Sequence, residues 1–214
     1  MQLPFTHEQF IDLFGDYNLA LWPALLALWL ATGWAVWRLY RKVPSASASV
    51  AVILVLHWAW SGAVYHLIYF HRINPAAVLF GTVFLAQAGL LLWRGVLHSQ
   101  IVFNPGQPQW SPVALGLILY AMLYPVLGLV FGLRVPRWPS FGVPCPTTIL
   151  TAGLLLLIPR RQARLLGVIP VLWAAVGGSA AFVLRIRADM ILALSGLILL
   201  TYMLTPSRGR KGPA

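Results

Sequence analysis

Charge is almost missing from long stretches of this chain. From Asn18 to Trp37, from Ser49 to Phe70 and from Pro112 to Leu133 there is no Asp, Glu, Lys or Arg. Over all 214 residues, 60% are hydrophobic and 9% charged, against about 25% charged in a typical soluble domain. Water cannot be the main solvent of such a chain. A helix that crosses a bilayer needs roughly 20 apolar residues, and the turn signals between the apolar runs fall at that spacing. The sequence therefore predicts an all-α fold: a polytopic membrane helix bundle of about seven transmembrane helices, forming one unit over residues 1–206. The expected spans are 18–37, 49–70, 75–97, 112–133, 147–158, 165–184 and 190–204, followed by a basic, disordered tail at 207–214. The expected location is the bacterial cytoplasmic (inner) membrane. The opening Met1-Gln2-Leu3-Pro4-Phe5 has no basic stretch ahead of an apolar core, so no cleavable signal peptide is expected.

Residues 5–16 read as a short amphipathic helix lying in the interface ahead of the first span. Thr6 and Gln9 have the spacing of a capping box. Span 5 is the exception to the length rule. Its residues 147–158 would cover about 18 Å at 1.5 Å each, short of a hydrocarbon core of roughly 30 Å. The basic residues decide its course. With seven spans and the N-terminus outside, Arg38, Arg41, Lys42, Arg94, Arg160, Arg161, Arg164, Arg208, Arg210 and Lys211 are cytoplasmic, while Arg72, Arg134, Arg137, Arg185 and Arg187 lie outside. A re-entrant span 5 would reverse that bias, so the positive-inside rule favours seven spans with the C-terminus in. Glu8, Asp12, Asp16 and Asp189 then all lie outside. The short span further implies that its Pro144-Cys145-Pro146 lead-in dips below the surface, shielded by protein. Small residues mark expected helix contacts: Gly128 and Gly132 as a G-x-x-x-G pair, and the run Gly177-Gly178-Ser179-Ala180-Ala181.

Chemistry-bearing residues gather on the outer side. Cys145, the only cysteine, stands beside a helix start, where the dipole's positive end favours thiolate; Thr147 and Thr148 add hydroxyls. This reads as a soft-metal or redox-sensitive site, against the plainer role of a small filler at a proline-made helix start. At the outer end of span 2, His66 and His71 face different ways on a regular helix. Each could join a site completed by Cys145, His7 or Glu8, or simply anchor an interfacial belt. His57 lies deeper, with Gln87 as its expected partner. Haem is disfavoured because His57 lacks a second deep histidine. No carboxylate falls within an expected span, which argues against a proton-coupled carrier, and no phosphate loop or catalytic arrangement is visible. The sequence names no catalytic residue and no cofactor.

Four motifs carry a resemblance: Leu3-Pro4-Phe5-Thr6-x-Glu8-Gln9-Phe10; Tyr17-Asn18 through Trp22-Pro23; Tyr65-His66 with Phe70 through Arg72-Ile73-Asn74-Pro75-Ala76; and Phe141-Gly142-x-Pro144-Cys145-Pro146-Thr147-Thr148. With these the chain resembles an uncharacterised bacterial family of polytopic integral membrane proteins, a domain-of-unknown-function family. The resemblance implies a membrane protein of about this length and no particular activity.

Two functions are expected from these features. The first is a small permease or transport-related protein with a polar, outward-facing vestibule. Its substrate-binding residues would be His66, His71, Glu8, His7, Cys145, Thr147 and Thr148, with Cys145 and His66 as ligands if the substrate is a soft metal ion. The alternative is a non-catalytic scaffold or accessory subunit of a larger membrane complex. Expected partners are membrane lipid and either a second copy of the chain or a membrane-complex partner. Nucleic acid is not expected, because the basic residues lie between apolar runs.

Overall fold

The computed structural model describes residues 4–106, 109–184 and 186–206, and among them every regular element is helical. The helices are α1 (His7–Tyr40), α2 (Ala46–Trp60), α3 (Ala77–Leu91), α4 (Ser111–Val130), α5 (Pro144–Leu155), α6 (Arg160–Leu166), α7 (Val168–Leu184) and α8 (Met190–Leu204). Helix α2 runs on through a π-helical stretch, Ser61–Tyr69, into a 3-10 turn, Phe70–Arg72, and α3 ends in a second π-helical stretch, Leu92–Leu97. The expected tail at 207–214 lies outside the described residues.

Five helical segments are long and apolar enough to cross a membrane, and the bent pair α6–α7 makes a sixth if it is one span. Large apolar side chains such as Trp22, Trp34, Trp37, Leu79 and Phe182 are exposed on the surface, which suits lipid and not water. This is the make-up of a multi-pass membrane protein.

The first departure from expectation is α1. It is one helix of 34 residues, so the expected interfacial helix and span 1 are continuous. The Thr6–Gln9 capping box starts it as expected, with both reciprocal bonds formed. Nothing then interrupts it. Gly15 stays helical with Arg137 packed over it, and Ile11, Phe14, Tyr17 and Asn18 continue one buried face across the expected junction. At 1.5 Å per residue the helix is about 51 Å long, more than a bilayer core requires.

Helix α5 is the axis of the bundle. Of its residues only Cys145 is not buried, and α4, α8, α7 and α2 pack around it. A helix apolar on all sides belongs in such a place. Its short length follows: it has no lipid to match. Pro144 and Pro146 both lie in its first turn, where missing N–H groups cost no hydrogen bond.

Two expectations about helix breaks are corrected. Pro170 reads from the sequence as the interruption of the sixth span, but the 54° bend falls at Gly167, between α6 and α7. Pro170 falls in the first turn of α7, where no intrahelical donor is lost. Gly132 does not pair with Gly128 on a helix face. It lies beyond the end of α4 with φ +94°, and Gly132 N–H donates to Leu129 O while Leu133 N–H donates to Gly128 O, both at 3.0 Å. That is a Schellman stop. The small run in α7 does pack closely: a Cβ at Gly177 would stand 2.8 Å from Leu192 and one at Gly178 2.9 Å from Ala193, both on the segment of α8.

Candidate functional site: an aromatic cavity with a buried carboxyl

The lead-in to α5 is a non-helical strand of chain at depth, and polar side chains from α1 and α2 pin it. Asn18 Nδ2 donates to Pro136 O and Trp138 O, both at 2.7 Å, and Ser140 donates to Asn18 Oδ1. Tyr17 donates to Phe141 O at 3.2 Å while accepting from Trp60 Nε1 at 2.7 Å. Ser61 donates to Gly142 O at 2.7 Å. Gly142 has φ +77°, and a Cβ there would meet Trp60 and the Tyr17 hydroxyl at 2.8 Å. Only glycine fits this turn without strain. Residues 139–144 are buried within the protein, the shielding that non-helical backbone in a membrane protein needs.

His57 belongs to this clamp. Its Nε2 is 2.9 Å from Thr32 Oγ1 and its Nδ1 3.3 Å from Thr147 Oγ1, which is itself 3.2 Å from Ser61 Oγ. A neutral imidazole satisfies either hydroxyl as donor or acceptor. The ring thus ties α1, α2 and α5 together. Gln87, its expected partner, instead donates to Leu166 O at 2.9 Å. Thr148 is spent within its own helix, on Pro144 O at 2.9 Å.

His66 is buried and has a different role. Its Nδ1 donates to Ser61 O at 2.8 Å, five residues back, which matches the register of the π-helical stretch. Its Nε2 is left as a buried acceptor with no hydrogen-bond partner among the described residues, inside rings from Phe84 (centroids 4.7 Å apart), Trp173 (5.2 Å) and Phe80 (6.1 Å).

Beyond that ring wall lies a cavity of about 290 Å³. It opens where three expected regions meet: the leading part of α1 with Phe5, Phe10 and Phe14; the end of α2 with Tyr65, Phe70 and Asn74; and the start of α5 with Pro144 and Cys145. Phe80 of α3 and Trp173 of α7 add two more rings, and Asp189 stands at the far side. The vestibule expected from the sequence is polar; the walls of this cavity are aromatic and aliphatic. The phenylalanines of the opening motif face inward and pack on each other and on Phe70, which is why the polar residues between them face out.

The expected site residues divide accordingly. Cys145 lines the cavity, as the second residue of α5. His66 is behind the wall. Thr147 and Thr148 are buried in α5. Glu8 is on the rim, 2.6 Å from Arg137, which also reaches Asp12 at 2.7 Å. His7 and His71 are exposed. No hydrogen bond, ion pair or ring contact joins any two of His7, Glu8, His66, His71 and Cys145. Among the described residues no three His, Cys, Asp or Glu side chains gather as a metal site would require.

The residue the sequence analysis missed is Asp189. Expected outside every span, it lies within the apolar segment Arg187–Leu204 and is 5% exposed. It occupies the N-cap position of α8, yet its carboxyl makes no capping bond, and Oδ1 is buried without a partner among the described residues. The turn that carries it is fixed by Asp189 N–H donating to Ile186 O at 3.0 Å and by Tyr120 donating to Ala188 O at 2.8 Å.

The fold and this cavity define a class: an all-helical, multi-pass membrane protein with an aromatic chamber against its central helix. The chain belongs to DUF6064, a family of unknown function, whose model matches residues 7–211. No curated protein and no solved structure matches it.

Proposed function

We propose that this protein is a small permease or transport-related membrane protein and that the aromatic cavity is where its substrate is held. The single observation that carries this reading is the cavity itself. It is near the lower size limit of small-molecule sites, predominantly apolar, and edged by few polar groups, the pattern of a ligand pocket. An organic molecule with an apolar body suits the lining better than a bare metal ion, since among the described residues no group of three His, Cys, Asp or Glu side chains forms around Cys145. The cavity opens outward in the orientation that the basic residues favour. The scaffold alternative has less support: Gly177 and Gly178, the closest-packing part of the small-residue run, meet α8 within the chain.

The experiment uses Cys145 as a reporter, because it is the sole thiol. In sealed vesicles of known orientation, a membrane-impermeant methanethiosulfonate should modify Cys145 from the side on which the N-terminus lies. Modification only from the opposite side would refute an outward-opening cavity.

A further inference from the structure

We infer that the cavity selects an organic cation, an amine or quaternary ammonium on an aromatic or aliphatic body, with Asp189 as its counter-charge. The inference rests on the ligand-holding role proposed above and names the chemistry of that ligand.

Three observations meet here. Asp189 lines the cavity, and its Oδ1 is buried beside it without a partner among the described residues. The ordinary reason for an aspartate at that position, capping the helix, is not in use. An unmade hydrogen bond of this kind is costly, so the group is held for something that arrives. The second observation concerns sign. The chain carries a formal net charge of +11, yet among the described residues no Lys, Arg or His lines the cavity. Its titratable lining groups are Asp189, Cys145 and Tyr65, each either neutral or negative, and Tyr65 is within electrostatic reach of both others. Among the described lining residues an anion would meet no countercharge. The third is the rings. Phe10, Phe14, Phe70, Phe80, Tyr65 and Trp173 offer π-faces, whose quadrupoles attract a cation most strongly where water is excluded. A carboxylate in an aromatic box has complementary partners for the charge and for the apolar body of one molecule. A neutral ligand would use only the second.

The test compares two probes of nearly the same shape, benzyltrimethylammonium and its uncharged carbon analogue neopentylbenzene. The full-length protein is placed in nanodiscs of zwitterionic lipid, and the rate at which N-ethylmaleimide alkylates Cys145 is followed against probe concentration. Both probes should slow alkylation of the wild type. Asp189→Asn should weaken protection by the cation by about tenfold or more while leaving protection by neopentylbenzene unchanged, and Asp189→Glu should recover part of the cation's affinity. The unchanged neutral probe also shows that the variant is folded. If Asp189→Asn weakens both probes equally, or neither, the cation assignment is overturned. If neopentylbenzene protects the wild type and the cation does not, the cavity still holds a ligand and the cation assignment is wrong. If neither probe protects, the ligand-holding role fails as well.

Discussion

The Nδ1 atom of His57 stands 3.3 Å from the hydroxyl of Thr147, and with Nε2 on Thr32 at 2.9 Å this one ring fastens α1 and α2 to the central helix. His57→Leu should therefore destabilise the chain. It removes both ring hydrogen bonds, leaving Thr32 only its bond to Leu28 O and Thr147 only its contact with Ser61, and about 1–2 kcal/mol is the expected loss from such bonds within a membrane. Thermal unfolding in mild detergent checks it. A Tm equal to wild type would mean the ring is only packing.

His66 should behave in the opposite way. Its one hydrogen bond goes to Ser61 O and its other nitrogen is unsatisfied. Replacing it with phenylalanine loses the bond to Ser61 O but removes an orphan acceptor and puts a somewhat larger apolar ring in an aromatic cage, effects that offset one another. His66→Phe should keep Tm within a few degrees of wild type, whereas a loss as large as that of His57→Leu would mean that Nε2 holds something the protein needs.

Gly142→Ala should fail to give a stable protein. The residue combines a positive φ with a Cβ position already filled by Trp60 and Tyr17, and either problem alone costs about 1 kcal/mol or more. Yield of monodisperse protein after detergent extraction is the readout. Normal yield and Tm would show that the Phe141–Gly142 turn is more pliant than its pinning implies.

On the rim, the Arg137 guanidinium is held charged even above its ordinary range, chiefly by its hydrogen bond to Glu8 and then by the charges of Asp12 and Glu8. A raised pKa of a basic group gives stability that is present below the unfolded value and lost only as pH rises through the folded one. That window lies far above neutrality. Raising pH from 7 to about 10 should leave Arg137-dependent stability unchanged, and Arg137→Gln should move Tm little, because an exposed ion pair contributes little. A steep loss of Tm between those pH values that Arg137→Gln abolishes would contradict this.

Much of the fold was legible because apolar run length and turn chemistry are local properties. The capping box at Thr6, the prolines opening α5 and the shielding of its lead-in all follow from rules about single helices. What was not legible depends on where one element meets another. The sequence Arg187-Ala188-Asp189-Met190 reads as a polar turn facing water; that the turn folds inward, with Tyr120 holding it, is decided by α4. Likewise Gln87 and His57 are both deep and polar, and only packing shows that Thr32 and Thr147 reach the histidine first. The π-helical stretch at Ser61–Tyr69 has no signature in hydropathy, and it is what turns His66 from the expected vestibule into the wall behind it.

The central claim is that the chamber beside Cys145 accepts an apolar molecule. Thermal unfolding of purified protein with and without neopentylbenzene tests it most directly, with Cys145→Phe as a variant whose added ring occupies the chamber. A ligand that binds only the folded state stabilises it by about 2.7 kcal/mol at a hundred times Kd. The wild type should therefore gain Tm as the probe is added, while Cys145→Phe gains none. No shift in the wild type, or the same shift in both proteins, would contradict the account.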